Sequence, residues 1–118
     1  MSETPATIAE FFRAMQAGSA AAHDMERLFG DEAIYVEPFS GQPTTHTGRP
    51  AIMAAMRQGW EHPLPDMTIT LDRVDVAGPL VTVAWTCRSP GLPGGAGRGV
   101  NEFTLKDGRI ARLETRFA

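Results

Sequence analysis

The chain has 118 residues, 42% apolar and 21% charged, with 11 basic and 14 acidic side chains and a formal net charge of -3. That length predicts one domain over residues 1–118 and excludes eight-unit strand–helix barrels and two-domain dinucleotide enzymes. The apolar content excludes a disordered chain, and the lack of a basic surplus argues against a nucleic-acid partner.

The first third has helical periodicity. Thr4 is placed to cap a helix with Pro5 at its first position. Ile8, Phe11, Phe12 and Met15 recur at helical spacing and form one apolar stripe. Gly18 ends this helix, and Ser19 is placed to cap a second, Ala20–Phe29, that stops at Gly30. Glu32–Glu37 is a short strand ended by Pro38. Ser40–Gly48 has the composition of a polar loop. Pro50 opens a third helix whose Ile52, Ala55, Met56 and Trp60 share a face. Pro63 and Pro65 break regular structure in Glu61–Asp66.

Four strands follow. Met67, Ile69 and Leu71 are apolar on odd positions, then Val74 and Val76 on even ones. This change of phase predicts a bulge or bend near Asp72–Arg73. Leu80–Arg88 is rich in β-branched residues. A Gly/Pro loop, Ser89–Gly97, leads to Gly99–Lys106, and Asp107-Gly108 makes a tight hairpin into Arg109–Phe117. The predicted class is α+β: a cone-shaped barrel of three N-terminal helices packed on a strongly bent, mostly antiparallel sheet. Such a cone encloses a cavity suited to a small apolar molecule.

Charge is uneven along the chain: residues 1–87 hold 5 basic and 11 acidic side chains, residues 88–118 hold 6 and 3. Ten of the 11 basic residues are arginines, a pattern that reads as surface decoration. Cys87 is the single cysteine, which excludes an internal disulfide and a thiolate zinc site, and its apolar surroundings predict a small buried residue. No basic-then-apolar leader and no stretch of membrane-spanning length is visible, so a cytoplasmic protein without membrane contact is expected.

The chemical candidates narrow quickly. Gly94-Gly95-Ala96-Gly97-Arg98-Gly99 lies between two strands, not between a strand and a helix, which makes it a hairpin loop rather than a phosphate cradle. His23, His46 and His62 have no metal-ligand spacing; His23 reads as solvated, and His46 lies where it can reach a pocket mouth. No nucleophile elbow is present. No metal and no cofactor is called for.

Glu37 stands out. Strand alternation places Tyr35 and Glu37 on one face and Ile34 and Val36 on the other. If that face looks into the cone, a carboxylate enters an apolar space, as a general base requires. On the last strands Asn101, Phe103 and Leu105 share a face, as do Leu113, Thr115 and Phe117, opposite Arg112, Glu114 and Arg116. An asparagine beside Phe103 on an apolar face either ties down structure or awaits a ligand.

These elements resemble the nuclear transport factor 2-like superfamily, with its SnoaL-like cyclases and ketosteroid isomerases. The resemblance spans about residues 5–117 and rests on Met15-Gln16-Ala17-Gly18, Leu28-Phe29-Gly30-Asp31-Glu32-Ala33, Val36-Glu37-Pro38, Gly48-Arg49-Pro50-Ala51-Ile52 and Phe103 to Ile110. It implies that Glu37 stands at the position of the isomerase general base. It also implies that Asn101 stands where the family has a protonated aspartate that holds an oxyanion. Phe11 falls at the family's oxyanion tyrosine and donates nothing, a loss of about 3 kcal/mol of transition-state stabilisation. Tyr35, the only tyrosine, is the candidate replacement.

The implied function is an isomerase-type enzyme that abstracts a proton α to a carbonyl. Glu37 and Asn101 would be catalytic. Phe11, Met15, Tyr35, Phe39, Met56, Trp60, Phe103, Leu113, Thr115 and Phe117 would enclose an apolar ring-containing substrate. The alternatives are a non-catalytic binding module for an apolar metabolite, a SnoaL-like cyclase, and a limonene-type epoxide hydrolase. A homodimer is expected, through either Thr82, Ala84 and Thr86 or Val81, Val83 and Trp85.

Overall fold

A computed structural model of the protein describes residues 4–118. Three helices, α1 (Ala6–Ala17), α2 (Ala22–Leu28) and α3 (Arg49–Trp60), accompany six strands. These are β1 (Phe29–Glu37), β2 (Thr44–Thr47), β3 (Thr68–Ala77), β4 (Leu80–Arg88), β5 (Ala96–Lys106) and β6 (Arg109–Phe117). The strands form one sheet in the order β2-β1-β6-β5-β4-β3. All pairs are antiparallel except β1 with β6. The class is α+β, as expected.

The helices lie on one face because each presents an apolar stripe to it. Ile8, Phe11 and Phe12 of α1, Met25 of α2 and Ile52, Met53 and Met56 of α3 are buried with Val81, Val83, Phe103, Ile110 and Leu113 of the sheet. Phe11 meets Phe12, Phe29 and Phe103 edge to face at centroid distances of 5.1, 6.3 and 5.2 Å, a geometry that favours aromatic pairs.

The bend in the sheet has a local cause. Leu71 pairs with Trp85 but Arg73 with Ala84, so Asp72 is the extra residue of a bulge, where the phase change predicts one. Thr86 Oγ donates to Asp72 Oδ2 at 2.5 Å and fixes the bulge from the outer face. At the other hairpin both Asp107 (φ 53) and Gly108 (φ 77) are left-handed, as a two-residue turn demands.

Several boundaries differ from expectation. Pro5, not Thr4, is the N-cap of α1, with no side-chain cap; its carbonyl accepts from the N–H groups of Ile8 and Ala9. Residues Gly18–Ala21 form a 3₁₀ turn without a Ser19 cap, so α2 starts late. Phe29 and Gly30 leave the helix because Phe29 pairs with Ile110 of β6, and β1 therefore begins three residues early. The predicted loop Ser40–Gly48 contains β2, which pairs with β1. β5 begins at Ala96 because the ladder to β4 extends as far as Arg88.

Candidate functional site

A cavity of about 930 Å³ opens between the helices and the sheet. That is within the usual range for small-molecule sites. Its apolar wall includes Phe11, Phe12 and Met15 of α1, Met56 and Trp60 of α3, Ile69 of β3 and Trp85 of β4. Both tryptophans of the chain, Trp60 and Trp85, lie on this wall.

The polar groups gather at the β1–β2–β6–β5 side. Tyr35, Glu37, His46, Asn101 and Thr115 all line the cavity. Their placement follows from register. Val36 is level with Glu114, so Glu37 and Thr115 follow side by side, and Thr115 is paired with Asn101. Glu37 and Asn101 are thus two strand spacings apart, about 9 to 10 Å between backbones. A small ring system spans that distance.

Glu37 is tightly held. Phe39 N–H donates to Oε1 at 2.8 Å, a bond made possible by the turn at Pro38. His46 Nε2 lies 2.9 Å from Oε2. An ionised carboxylate only accepts, so in that state Nε2 carries the proton. Side-chain exposure is 13% for Glu37 and 22% for His46, so the pair sits at the cavity edge, shielded yet reachable. The Tyr35 ring lies 6.0 Å from the His46 ring, a consequence of their pairing across β1 and β2.

Asn101 is 4% exposed. Trp85 Nε1–H donates to its Oδ1 at 3.0 Å. Indole only donates, so this bond assigns the amide: the oxygen faces Trp85 and the Nδ2 donor is left for the cavity. Trp85 is opposite Gly99 on β5, and a Cβ at Gly99 would overlap the indole ring. The glycine therefore lets the ring lie across β5 and reach Asn101.

Tyr35 is 3% exposed, and burial holds its phenol far above the ordinary value, reinforced by the Glu37 charge; the Thr115 hydroxyl beside it acts the other way. It is a permanent donor at physiological pH. Burial also raises the Cys87 thiol, which lines the cavity as an un-ionised group.

The structure brings together ten of the twelve residues singled out in the sequence. Phe11, Met15, Tyr35, Glu37, Phe39, Met56, Trp60, Asn101, Thr115 and Phe117 line the cavity. Phe39 and Phe117 are 56% and 60% exposed and stack edge to face at its mouth, 5.6 Å apart. Phe103 and Leu113 are not on the wall. Both are fully buried, and Phe103 is sealed by the rings of Phe11 and Phe12. Their role is to support the wall from behind. Trp85, Gln16 and the close role of His46 were not legible; Gln16 accepts from Ile69 N–H at 3.0 Å and ties α1 to β3. His23 is exposed, as expected.

A helical cover on a bent sheet, with an acid and an amide side by side on the sheet wall of an apolar cavity, is the nuclear transport factor 2-like fold. The model of the SnoaL-like domain family matches residues 8–113, and the chain belongs to that family. No curated protein matches it significantly. Solved structures share the fold. A candidate polyketide cyclase from Sinorhizobium meliloti aligns with a TM-score of 0.79 at 22% identity, covering 96% of this chain and 95% of that one. A candidate ketosteroid isomerase from Kribbella flavida aligns at 0.76 and 19%, covering 97% and 76%. A protein of ketosteroid isomerase-like fold from Catenulispora acidiphila, solved in complex with trimethylamine, aligns at 0.77 and 18%, covering 98% and 88%. At these identities the likeness is one of fold. Among the described residues no helix is long and apolar enough to cross a membrane.

Proposed function

We propose that the protein is a cofactor-independent isomerase-type enzyme acting on an apolar, ring-containing carbonyl compound. The observation that carries this reading is the pairing across one apolar cavity of a held carboxylate, Glu37, and an oriented amide donor, Asn101. Glu37 takes a proton from the carbon α to the carbonyl. The electron pair moves onto the carbonyl oxygen, and Asn101 Nδ2–H donates to the enolate oxygen so formed. Glu37 then returns the proton at a conjugated carbon, which restores the carbonyl. Tyr35 and Thr115 are the nearest further donors. His46 positions Glu37 through Oε2.

The test uses a β,γ-unsaturated ketone and follows conjugated enone absorbance. Wild type is expected to turn it over and Glu37→Gln to be slower by about 10²- to 10⁴-fold, the usual worth of a general base. Equal rates would remove Glu37 from the mechanism.

A second reading, a binding module without chemistry, is favoured by Phe11. It lines the cavity at the family's oxyanion tyrosine position and has no hydroxyl. Binding of apolar ring ligands without turnover of any would support it. The epoxide hydrolase alternative needs an arginine at the water site, and no arginine among the described residues lines the cavity.

The protein is also proposed to form a homodimer in the cytoplasm. Val81, Val83 and Trp85 point into the core, which leaves the half-buried Thr82 and Ala84 on the other face of β4 for a second copy, while Thr86 is buried and bonded to Asp72. Light scattering on a size-exclusion column at low concentration decides it, since a monomer would defeat the claim.

A further inference from the structure

The arginines, which the sequence concentrates in the second half, show a systematic exclusion. None of the ten arginines, nor the lysine, lines the cavity, although β4, β5 and β6 each contribute side chains to its wall. Alternation explains it. Asn101 and Thr115 face inward, so Arg98, Arg112 and Arg116 face outward. There Arg112 pairs with Glu114, and Arg116 with Glu102 at 2.5 Å. On β4 the inward run ends at Cys87, and Arg88 turns outward to Thr70 on β3. A slip of one residue in β5 or β6 would bring arginines inside.

The cavity wall keeps the opposite sign. Glu37 and Asp66 are its only carboxylates among the described residues: Glu37 is shielded on β1, and Asp66 is exposed in the segment before β3. His46 is committed to Glu37 and His62 is exposed at the rim. A ligand acid group would lose its hydration, find no fixed cation, and meet the shielded charge of Glu37. A neutral carbonyl meets Asn101 Nδ2–H without that cost.

We propose that the cavity selects by charge: it takes neutral or amine-bearing apolar ring compounds and rejects those with a free carboxylate or phosphate. This rests on the reading of the cavity as a ligand site and specifies its substrate class.

Three probes with one ring scaffold test it by equilibrium dialysis at pH 8: 2-acetylnaphthalene, 2-naphthylmethylammonium and 2-naphthoate. The expected result is at least tenfold weaker binding of the naphthoate than of the ketone, with the ammonium no weaker than the ketone. In Glu37→Gln/Asp66→Asn the ratio of ketone to naphthoate affinity is expected to shrink severalfold. Naphthoate binding within threefold of the ketone in wild type, or a deficit that the double substitution leaves unchanged, would overturn the proposal. Discrimination without turnover would overturn only the isomerase reading. Turnover without discrimination would overturn only the charge selection. No ketone binding at all would overturn both.

Discussion

The indole Nε1–H of Trp85 donates to Asn101 Oδ1 at 3.0 Å, and this one bond decides which half of the Asn101 amide the cavity receives. A free amide offers either its acceptor or its donors to a ligand. Here the donor side is selected by a neighbour on β4, and Gly99 gives that neighbour room.

Trp85→Phe keeps most of the packing and removes the donor. The freed amide then reorients, and turnover is expected to fall about fivefold with KM little changed, for a neutral hydrogen bond worth about 1 kcal/mol. Urea unfolding is expected to show a loss of about 1 to 3 kcal/mol, because Trp85 is largely buried. Gly99→Ala acts on the same bond from behind, by pushing the ring off β5. Unchanged turnover in both variants would separate the indole from the chemistry.

The single tyrosine gives a clean optical test of burial. Absorbance near 295 nm on raising pH is expected to show no tyrosinate in the native protein around pH 10, where a free phenol ionises. The folded phenol holds its proton well above the unfolded value. Its contribution to stability is therefore complete below about pH 10 and declines as pH rises from there towards the folded value. Tyr35→Phe is expected to flatten that alkaline decline. A native titration at about pH 10 would contradict the burial.

Phe11→Tyr would add a phenol at the wall position to which the resemblance assigns an oxyanion donor. Phe11 lines the cavity and packs edge to face on three other rings. Turnover of a β,γ-unsaturated ketone is expected to rise at least tenfold, within the range for one oxyanion donor. A rate at or below wild type would mean that Tyr35 or Thr115 already fills the role.

Much of this was readable from local pattern. The apolar stripe of α1, the bulge at Asp72, the ends of β4 and β6 and the Asp107-Gly108 turn all follow from spacing and turn chemistry. So does the shared face of Tyr35 and Glu37. β2 was not readable, because Thr-Thr-His-Thr has no apolar alternation and is held on one side only, by a strand it meets through register. The contact of His46 with Glu37 is hidden from the sequence for the same reason: it depends on that pairing. Phe103 and Leu113 show a different limit. Alternation gives the face of a strand but not the depth, and both lie one layer beneath the wall.

Loss of the α-proton tests the role of Glu37 most directly, since it isolates abstraction from every later step. A ketone ligand in D₂O, followed by proton NMR, reports exchange at its α-carbon. Glu37→Gln is the apt variant, because its amide oxygen still accepts from Phe39 N–H while the base is gone. Wild type is expected to wash out the α-proton, and Glu37→Gln to do so about 10²- to 10⁴-fold more slowly. Exchange at the same rate in both proteins would contradict a catalytic Glu37.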